Sequence, residues 1–473
     1  MKKESNIIKN TLIMTAVNLI MRSVSVSFNA YLTNIIGTSG IGLFQLVMSV
    51  YSLAVTFSSA GIRLATTRLT VEIGTLKKND IKKSLALCIA YAGFCGSLVG
   101  LLLLVFSDFI GKSWIGNIET AFPLKILSFS LPFISMSSAL GGYFTAEEKV
   151  PQFSFIQMIE QGTKIIITVY LLNKTAKLGA EYSVASIVIG MTAAEIISFS
   201  LSMLLKIKIT RAKTDRQAIM LSRFLRIALP DAAGACTRSI LLTAEHILIP
   251  KGFEKSGSNS KAALSAYGSI HAMAMPLLLY PSAIISSFST LLIPDTAKRN
   301  EIGDKEGINT SASRNLKRTF FFSVICALFC FAFAPLLSVL IYKSNEAAKY
   351  IRILSPLVPI MYLDMVTDGL LKGLDQQIYS MRYNIIDSLL CVIMVYFILP
   401  RYSVKGYIFI LYASEIINFY LSFNRLIKIC DIRFSSKPQE DNSKSAPLRK
   451  RSTSHKDYGY QKYPVRRKHN QVL

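Results

Sequence analysis

The sequence has little charge for its length. Only 17% of its 473 residues are charged, against about 25% in ordinary soluble domains, and 51% are hydrophobic. This composition excludes an ordinary soluble protein, because few soluble domains bury so much apolar surface. Long apolar runs recur along nearly the whole chain, each close to the roughly 20 residues that cross a bilayer as a helix. The sequence therefore predicts an all-α integral membrane protein.

Patterns for metal binding, disulfides and enzymatic chemistry are also missing. The seven cysteines lie in or beside apolar runs, without the spacing of a disulfide framework or a zinc site. Neither His246 nor His271 has metal-ligand company, and we expect His246 near the outer interface of its helix. The glycines of GTSGIG (37–42) lack a following Lys-Ser/Thr and indicate a tight turn. We therefore expect no metal, no cofactor and no enzymatic activity.

Apolar runs separated by short polar loops predict about twelve membrane spans. The predicted spans, numbered 1 to 12, lie near residues 8–36, 41–62, 85–106, 121–145, 152–172, 183–205, 222–248, 262–292, 319–342, 351–371, 383–400 and 406–424. Six spans in each half are what two parallel repeats around a central cavity would produce. The predicted domains are an N-terminal six-helix lobe, a basic cytoplasmic linker, a C-terminal six-helix lobe and a disordered basic cytoplasmic tail, at 1–205, 206–221, 222–430 and 431–473.

The distribution of basic residues predicts the orientation of the chain. Most of the 53 lysines and arginines lie in the N-terminus, in alternate loops and in the C-terminal tail. Because positive charge accumulates on the cytoplasmic side, we expect a multi-pass cell-membrane protein with both termini in the cytoplasm. The net charge of +25 is then a matter of topology, and we expect no nucleic-acid partner. The tail motifs LRKR and VRRK either reinforce this orientation or also touch anionic lipid.

Span 1 carries a charge near its middle. A charge at the centre of the bilayer costs roughly 2.5–3.5 kcal/mol on insertion scales, so Arg22 needs a compensating role. Polar residues at intervals of three and four place Arg22 within one helical stripe, formed by Asn18, Arg22, Ser25, Asn29 and Thr33. Such a stripe indicates water or a polar partner on that side. We interpret Arg22, Asn18, Ser25 and Asn29 as substrate-binding residues.

Span 2 repeats this spacing with mostly small hydroxyl residues. The repeating positions are Gln45, Ser49, Ser52, Thr56, Ser59 and Arg63. Small residues of this kind also mediate close helix packing, so packing and cavity lining are both open for span 2. If the stripe lines a cavity, Gln45 and Ser52 are candidate substrate contacts.

Span 7 also carries charges on one face. Asp231, Arg238 and Glu245 are seven residues apart, which is two helical turns each. These charges either pair with one another or with other spans, or they form a charged wall opposite Arg22. In the second interpretation Arg238 contacts substrate, and Asp231 and Glu245 couple transport to a cation or to the membrane potential.

Further ionisable residues lie in the remaining spans. Asp364 and Asp368 share a face of span 10 and, if unpaired, are candidates to bind a cation or to titrate. Glu160 and Lys164 in span 5 have the i,i+4 spacing of a pair that neutralises itself. No role is assigned to the remaining intramembrane carboxylates Glu195, Asp387 and Glu415.

The first 75 residues carry three recognisable elements. They are Arg22 within span 1, the link IG-x-x-G-x-G-L-F-Q that ends at Gln45, and AGI shortly before TRL-x-x-E. In these elements the chain resembles the stage V sporulation protein B-like polysaccharide exporters, a branch of the multidrug/oligosaccharidyl-lipid/polysaccharide flippase superfamily. The resemblance covers the chain from Ile7 to about Arg425.

This resemblance implies two six-helix lobes that form a V around a central cavity. In the lipid II flippases that the chain resembles, spans 1, 2, 7 and 8 line the cavity and hold arginines for a lipid-linked pyrophosphate. Where relatives often carry further arginines on span 1, this chain has Asn29 and Asn34. The cationic lining is therefore thinner here and leaves Arg22 and Arg238.

Taken together, the residues and the resemblance predict a flippase for a lipid-linked oligosaccharide or polysaccharide precursor of the cell envelope. It would move this substrate across the cytoplasmic membrane by alternating access, with membrane lipids and a coupling cation as further partners. One alternative is a cation-coupled multidrug antiporter of the same superfamily, which needs a dominant cavity carboxylate that span 1 lacks. The other is a non-transporting scaffold for envelope or spore assembly that acts through its basic tail.

Overall fold

The computed structural model describes residues 2–74, 78–147, 149–175, 179–204 and 217–430. Over these ranges the backbone forms fifteen α-helices and no strand, which confirms the all-α prediction. The helices are α1 (Lys2–Ser59), α2 (Ile62–Gly74), α3 (Lys78–Phe109), α4 (Ala121–Ser128), α5 (Leu131–Ala146), α6 (Val150–Thr175), α7 (Ala180–Leu204), α8 (Gln217–Lys255), α9 (Ser260–Gly268), α10 (Met275–Leu278), α11 (Ser282–Glu301), α12 (Lys305–Tyr342), α13 (Glu346–Leu354), α14 (Val358–Gly373) and α15 (Gln377–Cys430).

Six of the described helices are long and apolar enough to cross a membrane, or seven if α4 and α5 together form one span. The helices α6 and α8 do not meet that standard, since charged and polar residues interrupt their apolar sequences. Both helices carry ionisable residues singled out in the sequence: Glu160 and Lys164 in α6, and Asp231, Arg238 and Glu245 in α8.

Three predicted spans are broken rather than straight. Span 4 consists of α4 and α5, which meet at a bend of 48°. Span 8 consists of α9, a π-helical turn at Ser269–Ala274, α10 and α11, and span 10 consists of α13, a short 3₁₀ turn and α14. A proline lies at or beside each break, where its missing N–H weakens the helical ladder: Pro132, Pro276, Pro281 and Pro356.

The two longest helices each contain one non-helical residue. In α1 this residue is Gly37 (φ 73, ψ 173), inside the predicted turn between spans 1 and 2. In α15 it is Ser403 (φ 50, ψ −137), between spans 11 and 12. The Ser414 hydroxyl, after this residue, donates to Asp387 Oδ1, before it, at 2.5 Å. The segments before and after Ser403 therefore lie side by side, which shows that the chain reverses there. Ser403 lies within the interval 400–406 that the sequence predicts between spans 11 and 12.

The apolar surface of the bundle faces outwards on α12. Its most apolar stretch is only 22% buried, and the side chains of Phe321, Ile325 and Leu340 are exposed.

Buried tyrosines in the interior donate hydrogen bonds to backbone carbonyls of the broken span 8. Tyr342 donates to the Met273 carbonyl at 2.9 Å and Tyr362 to the Leu278 carbonyl at 2.7 Å.

The cysteines behave as expected from their apolar surroundings. All seven are free, and Cys88, Cys330, Cys391 and Cys430 are buried. Most of the predicted linker at 206–221 and all of the tail at 431–473 lie outside the described residues. The domain boundaries predicted there stay predictions.

Candidate functional site

The bundle has two ends that differ in their loops. The basic end carries the turns between α11 and α12 and between α14 and α15, where the sequence is rich in Lys and Arg. The opposite end carries the turns between α8 and α9 and between α12 and α13.

Arg22 lies half-buried on α1 and faces tyrosines of the second half of the chain. The electrostatic neighbours of its guanidinium are the phenol groups of Tyr280 and Tyr362. The adjacent Ser23 hydroxyl lies 2.6 Å from the Tyr280 hydroxyl, which fixes α1 against span 8 at this level. Within the part of the chain that the structure describes, no carboxylate forms an ion pair with Arg22. Its positive charge is therefore available to a ligand.

The other polar residues of the span 1 stripe differ in their contacts. The Ser25 hydroxyl donates to the Met21 carbonyl at 2.9 Å and accepts a hydrogen bond from Gln161 Nε2 at 3.3 Å. Asn29 is half-buried, and its carbonyl accepts the Thr33 hydroxyl at 2.8 Å. The side chain of Asn18 lies outside the described residues. Ser25 thus links the helix of Arg22 to α6.

The hydroxyl groups of span 2 mainly satisfy their own helix. Ser49 donates to the Leu46 carbonyl at 2.8 Å, and Thr56 donates to the Ser52 carbonyl at 2.8 Å. The Ser49 carbonyl also accepts the Thr243 hydroxyl of α8 at 3.2 Å, which is a packing contact between the halves. Gln45 is half-buried and Ser52 is exposed, so these two side chains remain accessible.

A half-buried group of three ionisable residues lies between α6 and α7. Ser198 donates to Glu160 Oε2 at 2.7 Å, and the carboxyl groups of Glu160 and Glu195 share a hydrogen bond. Lys164 interacts electrostatically with both carboxyls and lies 5.8 Å above the Phe28 ring centroid. The pair predicted between Glu160 and Lys164 is therefore part of a larger group. Glu195 was noticed in the sequence, but its spacing from Glu160 carries no signal for this contact.

A second group of carboxylates lies in the C-terminal half. We define the acidic cluster as Asp387 and the three carboxylates that interact with it electrostatically, Glu245, Asp364 and Glu415. Asn418 Nδ2 donates to Asp364 Oδ2 at 3.2 Å, while Asp364 Oδ1 is buried with no hydrogen-bond partner among the described residues. A buried carboxylate oxygen without a hydrogen-bond partner is energetically costly.

Two cationic side chains lie near the acidic cluster. Arg238 interacts electrostatically with Asp364 and Asp387, and Lys372 interacts electrostatically with Asp364. Asp368 is separately paired with Lys372, whose Nζ lies 2.6 Å from Asp368 Oδ2, and it also accepts the Ser380 hydroxyl. Of the two aspartates singled out in span 10, Asp364 is thus the one that forms no ion pair among the described residues.

The charges of span 7 have unequal surroundings. Asp231 and Arg238 are exposed, whereas Glu245 is buried with 8% of its surface accessible. Arg238 interacts with carboxylates of α14 and α15, and Glu245 interacts with Asp387. The contacts therefore include pairing between spans, while the exposed Asp231 is free to face a cavity.

Two histidines meet inside the C-terminal half. The rings of His246 and His271 lie 4.9 Å apart. His246 Nδ1 is 3.0 Å from the Tyr267 hydroxyl, and His271 Nε2 is 2.6 Å from the Tyr407 hydroxyl. His246 therefore packs in the interior rather than near the outer interface. No group of three His, Cys, Asp or Glu side chains within the described ranges has the arrangement of a metal site.

Two protein families match the sequence. Residues 7–299 match the polysaccharide biosynthesis protein family, and residues 256–398 match the MatE family. The first match covers more than half of the chain. The chain belongs to the polysaccharide biosynthesis protein family. Both Arg22 and the charges of span 7 fall within the part that this family match covers.

Curated and solved relatives agree with this family. Stage V sporulation protein B of Bacillus subtilis is 23% identical over 393 residues, which cover 81% of this chain and 76% of that protein. Lipid II flippase MurJ in an inward closed conformation superimposes with a TM-score of 0.69 at 17% identity, covering 88% of this chain and 87% of that chain. An inward-facing MATE transporter of the MOP superfamily superimposes with a TM-score of 0.67 at 15% identity, covering 88% and 98%. The chain therefore has the fold of MOP-superfamily transporters and is a multi-pass membrane protein.

Proposed function

We propose that this family member is a flippase that moves a lipid-linked oligosaccharide or polysaccharide precursor of the cell envelope across the cytoplasmic membrane. The observation that carries this proposal is Arg22, a half-buried arginine whose electrostatic neighbours in the described part of the chain are two tyrosines rather than a carboxylate. An anionic group of the substrate would complete its coordination. Charge-assisted hydrogen bonds from arginine to phosphate oxygens are among the strongest in proteins.

The arrangement of helices supports twelve crossings in two lobes of six. At 1.5 Å per residue the 58 residues of α1 would be about 87 Å long, nearly three times the roughly 30 Å of the hydrocarbon core. We infer that α1 and α15 each cross twice, with reversals at Gly37 and Ser403. Counting each broken span once then gives six crossings before the linker and six after it. The basic end is proposed to face the cytoplasm, with both termini on that side.

Contacts between the proposed lobes are suited to alternating access. At the opposite end the Thr38 hydroxyl lies 2.7 Å from the Ser265 hydroxyl. At the basic end Arg223 Nη1 lies 3.9 Å from Glu72 Oε2, and both side chains are largely exposed. An exposed ion pair of this kind contributes only about 0–1 kcal/mol, so it can open and re-form during a cycle.

The acidic cluster is proposed to couple transport to a cation. Arg238 acts on Asp364 and Asp387, and Lys372 acts on Asp364, so the four carboxyl groups have fewer cationic neighbours than negative charges, and burial of uncompensated charge is unfavourable. Protons or a metal cation would balance the excess. Asp231 on the exposed face of α8 would present a further charge to the cavity, together with Asn18, Gln45 and Ser52 as polar contacts for the sugar.

The same cluster favours one alternative function. A cation-coupled multidrug antiporter needs intramembrane carboxylates, and Asp364 supplies an oxygen without a partner among the described residues. In that case organic cations rather than lipid-linked sugars would be the substrate.

The experiment that separates these functions is a lipid analysis of cells that lack the protein. The flippase proposal expects a lipid-linked sugar intermediate to accumulate, and re-expression of the wild-type chain to remove it. Unchanged lipid-linked intermediates together with increased sensitivity to organic cations would instead support the antiporter. Deletion of residues 432–473 tests the scaffold hypothesis, because a transporter should keep clearing the intermediate without its tail.

A further inference from the structure

A polar cavity lies at the basic end of the bundle, away from Arg22 and from the acidic cluster. Its volume is about 580 Å³, and it is formed where α11 meets the N-terminal part of α12. One wall comes from α11 and includes Leu292, Asp295 and Arg299. The other comes from α12 and from the turn before it, and includes Asp304, Glu306, Arg314 and Arg318.

Two of the three carboxylates that line this cavity are already neutralised, and the third, Glu306, is exposed in the first turn of α12. Arg299 Nε lies 3.0 Å from Asp295 Oδ2, and Arg299 Nη1 lies 3.2 Å from Asp304 Oδ2. The hydrogen bond to Asp295 is the main cause that raises the pKa of Arg299. Asp304 Oδ1 also accepts the backbone N–H of Gly307 at 2.8 Å. These three side chains therefore form a closed set of contacts.

Of the three arginines that line the cavity, only Arg299 forms an ion pair among the described residues. Arg314 and Arg318 are one helical turn apart, so their side chains project from the same face of α12. Both are exposed, and neither forms an ion pair or a hydrogen bond within the described residues. Hydroxyl and amide groups of Thr310, Ser311 and Asn315 lie beside them in the cavity. Two unpaired guanidinium groups next to neutral hydrogen-bonding groups match the chemistry of a phosphate ester.

The position of the two arginines along α12, relative to its exposed apolar surface, indicates which kind of molecule would supply such a phosphate. The exposed apolar surface of α12 begins directly after Arg318, with Phe320 and Phe321 exposed at 46% and 67%. Arg314 lies one turn further out, or about 6 Å along the axis. The pair therefore sits at the border between hydrocarbon and water, the level at which lipid headgroups lie. Leu292 adds an apolar contact at the α11 wall.

We propose that this cavity binds the phosphate of an anionic membrane lipid, with Arg314 and Arg318 as the phosphate ligands. Headgroup hydroxyls would then contact Thr310, Ser311 and Asn315. This site does not depend on the proposed transport of a lipid-linked sugar, because it is separate from Arg22 and uses a different part of the chain.

The test measures lipid retention by the full chain in detergent, using native mass spectrometry with graded amounts of phosphatidylglycerol or phosphatidylcholine. The variant R314Q/R318Q should retain phosphatidylglycerol roughly ten- to thirtyfold more weakly than wild type. The matched control is K298Q/K305Q, which removes the same charge from exposed lysines that do not line the cavity. It should retain phosphatidylglycerol almost as the wild type does. Phosphatidylcholine binding should be weaker than phosphatidylglycerol binding throughout.

A gain of binding provides a second readout that misfolding cannot produce. Asp295→Asn removes one carboxylate and releases Arg299 from one partner, so phosphatidylglycerol should be retained several-fold more tightly. Equal losses in R314Q/R318Q and K298Q/K305Q would overturn the proposal in favour of diffuse surface attraction. Displacement of phosphatidylglycerol by low millimolar inorganic phosphate would also overturn it, since the site would then recognise a free anion rather than a lipid.

Discussion

Replacement of Gly42 by alanine tests whether the opposite end must open and close. Gly42 lies where α1 crosses span 8, and a Cβ atom there would lie 2.1 Å from the Leu264 carbonyl oxygen. Ordinary contacts of a Cβ atom begin at 3.4 Å, so the two helices must separate by at least about 1 Å. Because the obstacle is backbone rather than a mobile side chain, no rotamer change relieves it.

Overpacking of this kind costs about 1–3 kcal/mol. The added Cβ destabilises the closed form of the opposite end, in which the two helices touch, but not the open form. The ratio of closed to open molecules should therefore fall roughly 5- to 150-fold. The control is Gly162→Ala in α6, where an added Cβ meets nothing within 4 Å. That change should leave the ratio close to wild type.

The assay is cross-linking of Thr38→Cys with Ser265→Cys, at positions where the native hydroxyls lie 2.7 Å apart. The joined peptides, identified by mass spectrometry, distinguish this bond from any that the native cysteines form. Cross-linking should be fast in the otherwise wild-type chain and in the Gly162→Ala background, and clearly slower with Gly42→Ala. Equal rates in all three backgrounds would refute the link between this helix crossing and closure.

Two further predictions concern the site itself. Tyr280→Phe removes the 2.6 Å contact with Ser23 and should destabilise the bundle by about 0.5–1.5 kcal/mol. Thermal unfolding in detergent measures this loss. An unchanged unfolding temperature would mean that the contact is not formed. Asp364→Asn should abolish the dependence of transport on a proton or cation gradient, whereas Asp368→Asn should retain it because Asp368 is paired with Lys372. Loss of the dependence in Asp368→Asn alone would reverse this assignment.

The apolar runs of the sequence predicted an all-helical chain but not the breaks inside its helical segments. The reversal near Ser403 follows from two apolar runs with a short polar interval, which is a local signal. The breaks in spans 4, 8 and 10 depend on how prolines are accommodated by neighbouring helices. Pro335 shows the difficulty, because it lies inside the continuous helix α12 without ending it.

Some contacts within the candidate site follow from spacing along one helix, and others depend on tertiary packing. The spacing of Asp368 and Lys372 is the i,i+4 pattern of a helical ion pair, so this contact was readable from the sequence. The neighbours of Arg22 were not readable, because Tyr280 and Tyr362 come from distant spans that only tertiary packing brings together. The contact between Glu160 and Glu195 has the same origin, since it depends on how α6 packs against α7.

The central claim is that Arg22 holds the anionic group of a lipid-linked substrate. The direct measurement is the translocation rate of a fluorescent polyprenyl-diphosphate sugar in reconstituted vesicles, for wild type, Arg22→Ala, Arg22→Lys and the control Arg352→Gln. Arg352 is exposed and lies 5.8 Å over the Phe331 ring, remote in its contacts from Arg22. A hydrogen bond to a charged group contributes about 1.5–3 kcal/mol, so Arg22→Ala should slow translocation roughly 10- to 150-fold. Arg22→Lys should be intermediate, since the charge remains but the planar fork is lost, and Arg352→Gln should match wild type. Wild-type rates in both Arg22→Ala and Arg22→Lys would contradict the account.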